Sequence, residues 1–537
     1  MAAFAFASAH AIAADGIESD AEAPRTKMSE SAATFSSPHL KVTAWELADQ
    51  TDSHNELVAK REWLLMPGEA PITLSLNVLD AMDVTTGRGV AFVRIAPLPH
   101  ARSDKRPDFK VVSGRPHAVE VLPTDYRCER IPYEGGVLGR HRALMAAQRR
   151  WRAYVPGRDG LLLSNTWGDR NRDSRLNEKF MLREIAAAGD LGVDVVQIDD
   201  GWQKGRTSNS AAANGKGVWG GYWATDPGFW TVDPVRFPNG LSTLASAAKE
   251  RGVSLGLWFG PDSSNDAANW ERDADLLLSY WRDYGVRHYK IDSMKSKSAA
   301  ALANQRALFD KVLKASNGDV TFDLDVTAEI RPGYFGLPDI GPVFVENRYT
   351  DWAKYWPHLT LRNLWTLAEV VDPVRLRMEF LNLERNAEKY GDDPLAPAKW
   401  TPDAVFASVM VASPLAWFEL SELSERSRAS LKPIIATWKR ERDRLHSGVV
   451  FPVGEKPDGV SWTGFVVEAA DKSGGYAIVF RDGAAKDSWT LDLSGYLSSA
   501  VKCELLAGSG SVSLDGTRLD VSIPSRLGYI WAKIGGK

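Results

Sequence analysis

Asp292 closes the strand-like run YKID, and Lys290 stands two positions before it. In an extended chain alternate residues share a face, so both side chains point to the same side. A lysine so placed stabilises an ionised carboxylate, the state a nucleophile needs. The same pair also reads as a structural ion pair. Asp199 and Asp200 end the run VDVVQIDDGW, where Gly201 permits the turn that brings both to one pocket. With Trp202 beside them, they suit bidentate hydrogen bonding to sugar hydroxyls and stacking on an apolar C–H face. A metal site competes with this reading, but no His lies nearby and the acidic spacing of an EF-hand is absent. One of the two aspartates also reads as a cap of the following helix. Trp167 closes a third run, LLLSNTWG, and Asp351 follows a fourth, GPVFVENR. Tyr349, Trp352 and Trp356 around Asp351 would desolvate it and raise its pKa, as a proton donor requires, although such an aspartate also fits a helix N-cap. One nucleophilic and one proton-donating carboxylate are the minimum equipment for hydrolysing a glycosidic bond with retention.

These residues need a scaffold that gathers strand ends. From about residue 160 onward, apolar strand-like runs alternate with helical patterns at 177–190, 240–251, 274–284 and 299–315. Repeated βα units over roughly 280 residues predict an eight-fold barrel, whose strand C-termini form the functional face. Before it, from 39 to 123, LKVTAWEL, ELVAKREWLL, ITLSLNVL, GVAFVRIAPL, FKVVSG and HAVEVLP are short strands separated by turn residues, as in a β-sandwich. Beyond the charged helical stretch SLKPIIATWKRERDRLH, five more strand-like runs follow. The expected class is α/β: a (β/α)8 TIM-type barrel flanked by an N-terminal β-sandwich and a C-terminal antiparallel β domain. The expected division is a lead-in at 1–38, then 39–150, 151–445 and 446–537.

A chain of 537 residues needs several domains, and 44% hydrophobic with 25% charged residues excludes a disordered or fibrous protein. With 65 basic and 69 acidic residues the formal charge is -4, which leaves no electrostatic footprint for nucleic acid. The 20 Trp outnumber 14 Tyr and 19 Phe, and such rings suit both large cores and sugar clefts. Cys128 and Cys503 lack the paired spacing of a zinc or redox motif, and they can pair only if the two ends of the chain meet. The opening MAAFAFASAHAIAA is apolar and carries small residues at signal-peptidase spacing, but no basic residue precedes it. Export to the periplasm or medium is expected, with the cytoplasm as the alternative. The remaining chain has no run of ~18 apolar residues, so no membrane span is expected.

The stretch LLLSNTWGDRNRDSRLNEKFMLREIAAAGDLGVDVVQIDDGWQ resembles the start of the catalytic barrel in glycoside hydrolase family 36, which contains microbial α-galactosidases and related α-N-acetylgalactosaminidases. Asn165 and Trp167, the quartet Asp199 to Trp202, the strand Gly256 to Phe259, the Lys290-x-Asp292 pair and Thr350-Asp351 follow the family's order, as does the ending His446-Ser447-Gly448. The resemblance implies a retaining exo-acting α-glycosidase for terminal α-galactosyl residues of oligosaccharides or glycoconjugates. In it Asp292 is the nucleophile and Asp351 the acid/base. Asp199 and Asp200 would grip O4 and O6, Lys290 would bind a ring hydroxyl, and Trp167, Trp202 and Trp258 would line the pocket. Arg331 and Arg348 complete the substrate-binding set. The resemblance implies no metal or organic cofactor, and a carbohydrate as partner; it leaves homo-oligomerisation open.

Two departures stand out. The family often has Gly-Leu-Trp-Phe-Glu-Pro-Glu where this chain has GLWFGPD, with Gly260 and Asp262 in place of the two Glu. The region FDLDVTAEIRPGYFG lacks the family's Cys/Gly-rich stretch, which shapes the space at the sugar's 2-position. An insert at 204–239 carries Trp219, Tyr222, Trp223 and Trp230. It is expected either to build the aglycone side of the cleft or to be a surface loop with its own apolar cluster. Other readings are the same chemistry on an N-acetylated or modified sugar, transfer of the sugar to a carbohydrate acceptor, and a binding protein without catalysis. The presence of both Asp292 and Asp351 argues against the last.

Overall fold

Alternation along the strand Leu40–Leu47 shows how the N-terminal domain is joined to the rest. Leu40, Val42 and Ala44 are buried on one face, where they meet Phe92, Phe109, Val111 and Val119 between a five-stranded and a four-stranded antiparallel sheet. Trp45 points the other way and is also buried, because that face of the sheet lies on the central domain. Its Nε1 donates to Glu369 Oε2 over 3.0 Å. The computed structural model describes residues 32–49, 56–169, 172–212, 216–326, 331–345 and 355–535. Helix α1 (Gly136–Trp151), which the sequence reading did not foresee, joins sandwich to barrel. Its Gln148 donates to Val370 O (2.9 Å) and accepts from Arg375 Nη1 (2.7 Å), both groups being buried.

The central domain is a closed barrel of eight parallel strands. They are β1 (Leu163–Asn165), β2 (Val195–Ile198), β3 (Ser254–Phe259), β4 (His288–Ile291), β5 (Thr321–Asp325), β6 (Val343–Phe344), β7 (Leu376–Phe380) and β8 (Ser413–Ala416). Pairing of Leu163 with Leu415 and of Ser164 with Ala416 closes the ring. The first six coincide with the strand-like runs LLLSNTWG, VDVVQIDDGW, VSLGLWFG, VRHYKID, DVTFDLDV and GPVFVENR. Helices α2 (Glu178–Leu191), α3 (Ser242–Glu250), α4 (Trp270–Tyr284) and α5 (Ala299–Ala315) fall on the four helical patterns. Helix α2 shows why its limits are legible: Asn177 Oδ1 accepts from Phe180 N (2.9 Å) at its start, and Gly192 takes a left-handed φ of 86° at its end.

After α6 (Pro357–Leu367) and α7 (Pro402–Ala407), the long α8 (Glu425–Ser447) leads into the C-terminal domain. There a five-stranded and a three-stranded antiparallel sheet enclose their own core, including Val466, Val479, Leu519 and Ile530. Cys128 and Cys503 are free thiols. Among the described residues, no helix is long and apolar enough to cross a membrane.

Candidate active site

The parallel register sets Trp258 of β3 beside Lys290 of β4, and Lys290 beside Asp323 of β5. Period two then carries Lys290 and Asp292 to the same side, at the C-terminal mouth of the barrel. Lys290 Nζ lies 3.0 Å from Asp199 Oδ2 and 3.5 Å from Asp325 Oδ2. It also stands over the rings of Phe344 and Trp417, at 4.6 and 5.0 Å from their centroids. Burial disfavours its charge, but the carboxylates of Asp199, Asp325 and Asp292 more than offset this and keep it protonated.

Asp292 receives support from three directions. Trp258 Nε1 donates to Oδ2 over 3.0 Å, Arg331 Nη1 lies 2.5 Å from Oδ1, and the N–H of Ser293 donates to Oδ1. Burial pushes the carboxyl up, yet the positive charges of Arg331 and Lys290 and the hydrogen bonds from Trp258 and Ser293 bring it down to about 2. Asp292 is therefore an ionised carboxylate, while its side chain keeps 15% of its surface exposed. That combination suits a nucleophile reached from the barrel mouth.

Beside it, Asp199 Oδ2 accepts from Asn165 Nδ2 (2.7 Å) and its Oδ1 from the N–H of Asp200 (2.8 Å). Asp200 is held by Gln203 Nε2 (2.7 Å) and by the hydroxyl of Thr207. Burial raises its pKa, the charges of Asp199 and Asp173 add to this, and the two hydrogen bonds recover only part, leaving it at about 7. Gly201 makes the turn with φ 118°, and its carbonyl is fixed by Arg236 Nη1 at 2.6 Å. Trp167 follows β1 and donates its N–H to Asn165 Oδ1 over 2.8 Å.

Trp202 is fully buried beside this cluster. Its indole N–H goes to Trp258 O (2.7 Å), and its ring packs edge-on against Tyr280 of α4 at 5.1 Å and tilted against Trp230 at 6.0 Å. These contacts brace β3 against α4 and the insert. Asp351 and Arg348 lie outside the described residues. Asp325 and Trp417 belong to the cluster and were missed. Asp325 is the last residue of β5, near the end of the strand-like run DVTFDLDV, a signal like the one that singled out Asp292. Trp417 directly follows β8, a strand that the sequence did not reveal. Among the described residues, no group of three or more His, Cys, Asp or Glu is arranged to hold a metal ion.

The insert is folded against this wall. Gln203 and Val232 pair as a bridge at its neck, and Asp233 N donates to Trp202 O (3.0 Å). Trp230 packs on Trp258 and Phe259 at 5.6 and 4.5 Å, and Trp219 meets Trp258 edge-on at 6.2 Å.

Comparison with known proteins gives a consistent picture. Residues 148–282 match the Melibiase family model. Alpha-galactosidase 2 of Pediococcus pentosaceus is 28% identical over 117 residues, which are 22% of this chain and 14% of the relative. The alpha-galactosidase of Escherichia coli is 31% identical over 104 residues, 19% of this chain and 13% of that protein. The matched segments thus span about one seventh of the length of these relatives. In fold, the chain is similar to the GH36 alpha-galactosidase AgaA of Geobacillus stearothermophilus, in a variant complexed with raffinose, with a TM-score of 0.66 at 14% identity, covering 94% of this chain and 76% of the other. The galactosidase domain of the alpha-galactosidase–sucrose kinase AgaSK gives a TM-score of 0.65 at 11% identity over 94% and 75%. Residues 148–282 thus match the melibiase family model, and the chain has the fold seen in the solved GH36 alpha-galactosidases.

Proposed function

We propose that the protein is a retaining, exo-acting α-glycosidase that removes terminal α-galactosyl residues from oligosaccharides or glycoconjugates. One observation carries this reading: a partly exposed aspartate at the barrel mouth, held ionised by Arg331 and Lys290 and aligned by Trp258. Its match over 148–282 and its relatives supply the sugar class. An Asp292 carboxylate oxygen attacks the anomeric carbon as the bond to the leaving oxygen breaks, and Asp351 gives that oxygen its proton. Water then passes a proton to Asp351 while its oxygen takes the anomeric carbon from Asp292. Asp199 and Asp200, with Lys290 beside Asp199, bind the sugar hydroxyls; Trp167 and Trp258 wall the site. Arg348 is assigned to the substrate with them. Export, proposed from the N-terminal sequence, is tested by finding the mature N-terminus after residue 11 or 13 of the secreted protein.

The test is a panel of aryl α-glycosides: galactoside, N-acetylgalactosaminide, glucoside and arabinoside. Fastest turnover of the galactoside, with the α-anomer formed first, is expected. Preference for the N-acetylated sugar moves the assignment to that substrate, a β-anomer as first product refutes retention, and transfer products at high acceptor concentration mark a transglycosylase.

A further inference from the structure

Both residues in which β3 and its extension depart from the Gly-Leu-Trp-Phe-Glu-Pro-Glu pattern contact the insert at one point. Asp262, fully buried, accepts the N–H of Gly221 at 2.8 Å. Gly260 leaves the space that the neighbouring Tyr222 fills. A Cβ built on Gly260 would stand 2.8 Å from Ser293 Oγ, 3.3 Å from Tyr222 Oη and 3.6 Å from the Trp258 ring. Tyr222 has no exposed surface. Its hydroxyl and that of Ser293 both lie within 3.3 Å of that Cβ position, and both are buried without a hydrogen-bond partner among the described residues. The insert is clipped a second time by Trp223 Nε1, which donates to Asp273 Oδ1 (2.9 Å), while Asp273 Oδ2 accepts from Asp262 N (2.9 Å).

Ser293 is the residue that matters to the chemistry. It sits in the left-handed region, with φ 50°, a conformation that non-glycine residues keep only under constraint from their surroundings. In that conformation its N–H points back to Asp292 Oδ1. Tyr222 and the bare backbone of Gly260 form the wall that confines it.

We propose that Tyr222 is a positioning residue for the nucleophile: seated in the space that Gly260 leaves open, it holds Ser293 in the turn whose N–H aligns the Asp292 carboxylate. The insert is then part of the catalytic wall. This rests on Asp292 being the nucleophile of the proposed glycosidase.

Tyr222→Phe, Ser293→Ala and the double variant are assayed on an aryl α-galactoside, with the inhibition constant of free galactose measured in parallel. Each substitution removes one oxygen and keeps the carbon framework, and thermal melting reports on folding. Each single variant is expected to lose about tenfold in kcat/KM through kcat, with galactose binding unchanged within about twofold. The double variant is expected to lose no more than the worse single one, because both act through the same contact. Unchanged kinetics in Tyr222→Phe, additive losses, or galactose binding that weakens in step with kcat/KM would each overturn the proposal. A wild-type protein inert on every aryl α-glycoside would instead remove the proposed function, and this role with it.

Discussion

Replacing Arg331 by Met removes the cation nearest the candidate nucleophile, 2.5 Å from Asp292 Oδ1. An opposite charge at that range lowers a carboxyl pKa by about 1–3 units, so its loss should lift Asp292 from about 2 to between about 3 and 5. The group is depressed in the folded protein. Its stabilising effect is therefore present above the unfolded value near 4 and is lost as the pH falls toward 2. In the wild type the acidic limb of kcat/KM due to Asp292 lies below the working range. In Arg331→Met it should enter that range, rising by one order of magnitude per pH unit below the new pKa. The assay is kcat/KM on an aryl α-galactoside from pH 3 to 8, with circular dichroism confirming that the protein stays folded. The variant also leaves Asp292 and Asp325 with Lys290 as their shared cation, and breaking such a buried network costs about 3–5 kcal/mol. Arg331→Lys keeps the charge and should hold the limb closer to the wild-type position. A variant with the wild-type acidic limb would refute the claim that Arg331 keeps Asp292 ionised.

Asp200, raised to about 7, destabilises the fold progressively as the pH rises from about 4 to 7. Asp200→Asn should abolish turnover yet raise the melting temperature, the gain growing across that window toward roughly 4 kcal/mol and staying level above it, as pH-resolved melting will show. Gly168→Ala would place a Cβ 2.0 Å from Trp417 O, a backbone atom that cannot yield. Chemical denaturation should show a loss of about 3 kcal/mol or more, with activity lost as Trp417 is displaced beside Lys290.

The sequence exposed the barrel where strands are long apolar runs closed by turn residues, as in β2 to β5. It concealed β7 and β8. The run SPLA is four residues long and contains Pro414, which argues against a strand when read alone. With β8 hidden, Trp417 had no strand end to mark it. Helix α1 was hidden by Gly136 and Gly139 at its start, which lower its intrinsic helical preference. Lys290 and Asp292 were legible because strand alternation alone fixes their common side. The direction of Trp202 was not legible, because alternation stops at Gly201, where the chain leaves the strand and a left-handed turn decides direction. Arg331 was reached only through the family resemblance, and no local pattern encodes its contact with Asp292.

The most direct measurement is covalent trapping. A fluorinated α-galactosyl reagent that forms the glycosyl-enzyme but slows its hydrolysis is mixed with the full chain, and the digested protein is mapped by mass spectrometry. One sugar per chain, on the peptide containing Asp292 and localised to that carboxylate, is the predicted result. A label on any other residue, or turnover of the reagent with no covalent adduct, would contradict the assignment of Asp292 as the nucleophile.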